Sequence, residues 1–227
     1  MRIWVSGLLF LLILTGCFET WKSTTTISFS VLIPKPTKEQ RISYVEGVQV
    51  ITSPHSDSVI SAMVVNQPIR SDKEAVIALA IVNQSSQSIP LKWDTISISH
   101  STDTIHMLPV DQIPDYFKQP GHCKPILGRK LFKTKLLQYG VIQEDNRTQT
   151  PLFPTEEALA KLYQNIKKDL CYTKIPNDTT LTPHKVTVGY LVIQLSKKNF
   201  THPTHFTLNV PIKERIHQLN YTLQPLD

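Results

Sequence analysis

The sequence predicts a mainly β protein of the α+β class, an antiparallel β-sandwich that carries an inserted helical segment. Short runs rich in β-branched residues recur at close spacing before Pro109, and β-type runs return after residue 177. The intervening part is first rich in proline and then helical in pattern. Apolar residues make up 41% of the 227 residues, which is enough for a core and argues against wholesale disorder.

The first half of the chain is predicted to supply short antiparallel strands. Each run has strand length, alternates or is continuously apolar, and ends at a turn or a proline. The run at 75–82, AVIALAIV, is the most apolar, and a helix is its alternative because Ala and Leu also favour helices. The predicted strands are residues 27–33, 42–51 with a bulge at Gly47, 59–65, 75–82, 91–99 and 104–108.

Two helices are predicted within the excursion from 109 to 177, and three strands follow it. Residues 126–139 form a basic amphipathic pattern, and residues 155–171 form the strongest helical pattern, with Thr155 as the expected N-cap. We expect the apolar stripe of the second helix to pack against a sheet. That stripe consists of Leu159, Leu162, Tyr163, Ile166 and Leu170, and the later strands are residues 185–195, 206–212 and 216–223.

The N-terminal residues 1–16 are predicted to be a signal peptide. Arg2 precedes an apolar run of about 11 residues, which is shorter than the roughly 20 residues that span a bilayer. The run ends in Leu14-Thr15-Gly16-Cys17, which resembles the lipobox of bacterial lipoproteins. The resemblance implies a diacylglyceryl thioether on the Cys17 sulfur, cleavage before Cys17 and acylation of the new amino group. An ordinary signal peptide, with Cys17 as a bystander, is the alternative.

The lipobox resemblance also implies a location. Lipoproteins retained in the inner membrane often carry Asp after the lipidated cysteine, whereas Phe18 occupies that position here. We therefore expect a lipid anchor in the outer membrane, on its periplasmic face. Residues 17–26 would form a lipidated tether, and residues 27–227 the sandwich domain. Its strand–helix–strand layout loosely resembles immunoglobulin-like modules of envelope lipoproteins.

The two cysteines other than Cys17 are an even pair. In an oxidising periplasm Cys123 and Cys171 are predicted to form a disulfide, which would close a large loop around the helical excursion. Two separate free thiols are the alternative. Neither cysteine belongs to a CxxC motif, so the sequence contains no such redox or zinc signature.

No set of residues in the sequence identifies a reaction. The nucleophile and metalloprotease motifs GxSxG, SxxK and HExxH are absent, and seven glycines leave little room for a phosphate-binding loop. His202 with His205, and His100 with His106 across a predicted hairpin, lack the further ligands that a metal site needs. The acidic pairs Asp111/Asp115 and Glu156/Glu157 are interpreted as caps and solvated groups. The sequence therefore predicts no enzyme, cofactor or metal.

The basic segment 129–135 is interpreted as a solvated helix face, with contact to anionic lipid or polysaccharide as the alternative. The net charge of +6 permits nucleic acid as a partner, but an exported protein is not expected to meet it. The function predicted best is that of a non-catalytic envelope lipoprotein with a protein-binding or assembly role. A carrier of a small apolar ligand or glycan, with a pocket between sandwich and helix, is the first alternative. An unrecognised hydrolase, with a buried and mutually bonded Ser–His or carboxylate pair, is the second.

Overall fold

The computed structural model describes residues 27–100, 105–119, 132–143, 151–166 and 178–226. Within them the fold is mainly β, with antiparallel sheets in a sandwich-like arrangement, as predicted. The strands are β1 Phe29–Pro34, β2 Arg41–Val45, β3 Val48–Pro54, β4 Ser58–Val64, β5 Ile69–Arg70, β6 Ala75–Asn83, β7 Ile89–Lys92, β8 Ser97–His100, β9 Ile105–Met107, β10 Asp178–Leu181, β11 Val186–Leu195, β12 Thr204–Ile212 and β13 Arg215–Pro225. The α-helices are α1 Ile113–Lys118, α2 Lys133–Gln138 and α3 Pro154–Ile166.

Two sheets form the two layers of the sandwich. The five-stranded sheet has the order β5-β1-β13-β12-β8, and the six-stranded sheet has the order β2-β3-β4-β6-β11-β9. Strands β7 and β10 pair separately. Alternate residues of the facing strands fill the main core between the sheets. From β13, for example, Leu219, Tyr221 and Leu223 point inward, as their alternation predicts.

The burial of strand β6 on both faces explains why its sequence is almost continuously apolar. All nine of its residues are buried. Ile77, Leu79 and Ile81 belong to the main core, whereas Val76, Ala78 and Ala80 belong to a second core on the other face of the sheet. A strand that is covered on both faces favours apolar side chains at nearly every position, and only the last residue of β6, Asn83, is polar. The strand interpretation of 75–82 is therefore confirmed over its helical alternative.

Helix α3 covers the outer face of the six-stranded sheet. Leu159, Leu162 and Tyr163 are buried in the second core, as the stripe predicts, while the side chain of Ile166 and all of Leu170 lie outside the described residues. Glu157 and Lys161 form an ion pair one turn apart, at 2.7 Å. Thr155 is not the N-cap, because the helix already begins at Pro154.

The predicted strand 42–51 is wrong as a single element. It is a hairpin of β2 and β3, and its two turn residues Glu46 and Gly47 have φ values of 51° and 72°. Two successive residues in the left-handed region match the type I′ turn that joins twisted antiparallel strands. Gly47 is therefore a turn residue and not a bulge.

Two further predictions are wrong in the region where successive strands pair in different sheets. Residues 91–99 do not form one strand, because a short 3-10 turn at Trp93–Thr95 separates β7 from β8. The return strand β9 does not pair with β8 as a hairpin. It joins β11 of the six-stranded sheet, whereas β8 joins β12 of the five-stranded sheet. Local alternation predicts a strand but carries no information on which sheet accepts it.

Only the end of the predicted helix 126–139 lies within the described residues, as α2. Leu136 of α2 and Val141 pack with Val31 and Leu226 in a third, smaller apolar cluster. The Tyr44 hydroxyl donates to the Gly140 carbonyl at 2.6 Å, which ties the segment after α2 to β2. Residues 129–131 of the basic segment 129–135 lie outside the described residues, and residues 133–135 belong to α2.

Candidate functional site

The predicted covalent sites cannot be placed on the fold. Cys17 and the lipobox, as well as Cys123 and Cys171, lie outside the described residues. The lipid anchor and the disulfide therefore remain predictions. Among the described residues, no helix is long and apolar enough to cross a bilayer.

The predicted histidine pairs do not converge on a metal site. His100 and His106 lie on different sheets. His202 belongs to the turn before β12, whereas His205 lies on β12 and its Nδ1 is 2.8 Å from Thr222 Oγ1. In the described ranges no three His, Cys, Asp or Glu side chains gather as metal ligands would.

A buried histidine that the sequence did not single out joins the two sheets. His217 lies on the inner face of β13 and is fully buried. Its Nδ1 is 3.1 Å from Ser53 Oγ, and its Nε2 is 2.9 Å from Ser58 Oγ. The His55 ring packs against it with centroids 4.1 Å apart. Burial, followed by the charge of His55, lowers the pKa of His217 to about 3.

The hydrogen-bond partners of His217 set its tautomer. Ser58 Oγ donates its proton to Asp57 Oδ1 at 3.2 Å, so His217 Nε2–H donates to Ser58. Nδ1 then accepts from Ser53, whose oxygen accepts in turn from Gln40 Nε2 at 3.5 Å. The result is one directed chain of donors that starts at Gln40 and ends at the Asp57 carboxylate.

Ser58 and His217 form the buried, hydrogen-bonded Ser–His pair that a hydrolase would need. Their burial and the pKa of His217 do not fit catalysis. Ser58 and His217 are both 0% exposed, so a substrate has no route to the hydroxyl. A ring with a pKa of about 3 takes up a proton only at a pH far below neutral. It is therefore a poor acceptor for a serine proton. In the tautomer above, Ser58 also donates to Asp57 and not to the ring. This arrangement suits a structural joint between the sheets.

A second buried polar cluster fixes the start of α3. The Glu156 carboxylate is 1% exposed, and its Oε1 accepts from Ser43 Oγ and Thr52 Oγ1 at 3.1 and 3.0 Å. Arg41 donates to both carboxylate oxygens, at 3.2 and 3.1 Å, and the Leu152 amide donates to Oε2 at 3.0 Å. Five donors satisfy the buried charge, so the group anchors a helix and does not await a ligand.

The sequence pattern indicates only a cap or a solvated group at Glu156. Its hydroxyl partners lie on β2 and β3, 113 and 104 residues earlier in the chain. A Thr52–Ser61–Thr155 chain of hydroxyls, with oxygens 2.7 and 2.8 Å apart, extends the same cluster. Only small polar residues at strand positions signal it in the sequence, and that signal is common on solvated strands.

An open groove lies along the strand ends of the five-stranded sheet, and we call it the polar groove. It has a volume of about 470 Å³. Thr207 Oγ1 donates to Asn220 Oδ1 at 2.8 Å across β12 and β13, which orients the amide. Among the described residues, none of the side chains that line the groove is acidic. Its lining residues are Lys35, Ser99, His100, His205, Phe206, Thr207, Asn220 and Tyr221.

Comparisons with known proteins add no relative: no family model, curated protein or solved structure matches this chain.

Proposed function

We propose that this chain is a lipid-anchored, non-catalytic protein of the cell envelope that binds another envelope protein. The anchor is Cys17 of the lipobox, in the outer membrane on its periplasmic face, and the body is an immunoglobulin-like sandwich. Eleven residues separate Cys17 from β1, so the tether spans at most about 40 Å. The tether therefore brings the domain to partners that lie close to the membrane.

The open edge of the five-stranded sheet is the observation that carries partner binding. Strand β8 pairs with β12 on one side, and no other described strand pairs with its outer side. At the opposite end of the sheet, the outer side of β1 is covered by the two-residue strand β5 and by the Gln67 amide, which exchanges two hydrogen bonds with the backbone of Leu32 at 3.2 and 3.0 Å. An extended segment of a partner can add to an open edge through backbone hydrogen bonds.

The buried polar clusters support a non-catalytic role. The partners of His217 and Glu156 satisfy them inside the fold, away from solvent. The carrier alternative finds no support beneath α3, where Leu159, Leu162 and Tyr163 fill the space between helix and sheet. An assembly or accessory role needs neither a reactive group nor an internal cavity.

The proposal is tested by photocrosslinking in intact cells. A photoreactive residue replaces Ser97, which is exposed on β8, and in a second strain it replaces Gln194, which is exposed on β11 of the other sheet. We expect one defined protein adduct from position 97, identified by mass spectrometry, and none from position 194. The same adduct should disappear when Cys17→Ser removes the anchor.

Two results would count against the proposal. Equal adducts at positions 97 and 194, or none at either, would show that the β8 edge is not a docking site. Normal processing and membrane retention of the Cys17→Ser chain would show that the lipobox interpretation is wrong.

A further inference from the structure

We propose that the polar groove binds a glycan strand that carries carboxylate groups. This inference goes beyond the binding of a protein partner and does not depend on it. It rests on the register of four neighbouring chain segments, on the donors they present, and on a lining that, as far as the structure describes the chain, contains Lys35 and no carboxylate.

Strand register places one row of polar side chains across the sheet. Thr207 pairs with Asn220 on one side and with Ser99 on the other, so all three point to the same face. The Lys35 amide donates to the Asn220 carbonyl at 2.8 Å, which extends the row beyond the end of β1. Four segments at about 4.8 Å spacing make a row about 14 Å wide, which is long enough to contact an extended ligand.

The groups of this row are those that recognise sugars. Hydroxyl and amide groups both donate and accept, as sugar hydroxyls do. Because Thr207 occupies Asn220 Oδ1, the amide is held in one orientation and its NH₂ is left as a donor. His205 is exposed, and its ring is held in place through Nδ1, which lies 2.8 Å from Thr222 Oγ1.

Charge selects an acidic glycan over a neutral one. Lys35 is exposed, and no carboxylate in the described part of the chain forms an ion pair with it. A sugar carboxylate can therefore pair with its ammonium without first displacing an internal partner. The volume of about 470 Å³ falls within the range of small-ligand sites.

An apolar or stacked ligand fits this groove poorly. Its two aromatic rings, Phe206 and Tyr221, are 3% and 2% exposed and stack on each other beneath the sheet. They offer no exposed platform for a base or an acyl chain. The polar row itself is the recognition surface, which favours a hydroxyl-rich ligand.

The test measures binding of two oligosaccharides to the full chain in detergent by titration calorimetry. A linear tetramer of galacturonic acid is the acidic probe, and maltotetraose is the neutral one. We expect saturable binding of the acidic tetramer that weakens with salt, and at least about five-fold weaker binding of maltotetraose.

Matched variants locate the site. Lys35→Ala should weaken binding of the acidic tetramer about ten-fold, whereas Lys38→Ala, an equal charge change in the same exposed loop, should change it less than about two-fold. Thr207→Val keeps the shape and removes the hydroxyl, and it should cost about five-fold. Thr201→Val, the same change at an exposed residue outside the groove lining, is its control.

The proposal is overturned if the unmodified chain binds neither tetramer, or if Lys35→Ala and Lys38→Ala have equal effects. Unchanged thermal unfolding of each variant shows that a loss of binding is not a loss of fold. A protein adduct from a crosslinker at position 207, without saccharide binding, would assign this face to a protein and would also overturn it. Failure of the position-97 experiment leaves this result unaffected, because β8 edge docking and saccharide titration are measured separately.

Discussion

Gly189 on β11 has no side chain, and this leaves room for the largest side chain in the core, that of Trp93. Trp93 is fully buried, and its ring lies where a Cβ of residue 189 would be. The indole Nε1–H donates to Thr179 Oγ1 at 3.4 Å, which links the ring to β10. The short 3-10 turn that interrupts β7 and β8 therefore places Trp93 over the one strand position that can accept it.

Gly189→Ala should destabilise the protein by at least about 2 kcal/mol, because the added methyl group overlaps a ring held on all sides. The free energy of unfolding in urea measures this. The double variant Gly189→Ala/Trp93→Leu should be less destabilised than the sum of the two single variants. An unchanged unfolding midpoint for Gly189→Ala would mean that Trp93 does not pack there.

The elements that could be predicted from the sequence are those whose pattern is local. The period of α3 and the apolar run of β6 lie within single segments, and the structure contains both. The β2–β3 turn was missed because Glu46-Gly47 lacks the Asn or Asp that usually marks a type I′ turn. Pairing of β8 and β9 with different sheets depends on distant strands, which alternation does not encode.

The buried polar clusters could not be predicted for the same reason. Ser53 and Ser58 lie 164 and 159 residues from His217 in the chain, and Thr52 lies 104 residues from Glu156. Each residue alone resembles an ordinary solvated group. Of the residues that line the polar groove, the sequence analysis considers His100 and His205 as ligands, and it finds too few further ligands for a metal site.

Helix α3 should contribute stability mainly through its buried stripe. Leu162→Ala removes a side chain that packs in the second core and should cost about 2–5 kcal/mol of unfolding free energy. Lys161→Ala, one residue away and exposed, removes only the surface pair with Glu157 and should cost less than about 0.5 kcal/mol. Urea unfolding of both variants makes the comparison. If Leu162→Ala left the midpoint unchanged, the stripe would be available to a partner.

At the scale of the whole molecule, apolar packing and one polar joint hold the two sheets together. The main core fills the space between them, and His217 crosses that space from β13 to Ser53 and Ser58 on the other sheet. The charged or titratable groups that act on this ring are His55, Asp57 and Arg215. Protonation of the ring would place a positive charge in a buried site, so the joint requires neutral His217.

This joint predicts how the stability of the whole sandwich depends on pH. The pKa of His217 is about 3 in the folded protein and 6.5 in an ordinary environment. Above pH 6.5 both states are neutral, and the joint contributes fully. Between pH 6.5 and 3 the unfolded chain binds a proton that the folded protein does not. As the pH is lowered through this range, the free energy of unfolding therefore falls by up to about 1.4 kcal/mol per pH unit.

Urea unfolding of the unmodified chain and of His217→Gln at pH 7, 6, 5 and 4 isolates this proton from those of the carboxylates. The variant should lose stability less steeply below pH 6.5, since glutamine binds no proton in either state. His202→Gln, at an exposed turn, should follow the unmodified chain. Parallel curves for His217→Gln and the unmodified chain would mean that His217 accepts its proton in the folded state. The ring would then be accessible to solvent, and the argument against a catalytic role for Ser58 would no longer hold.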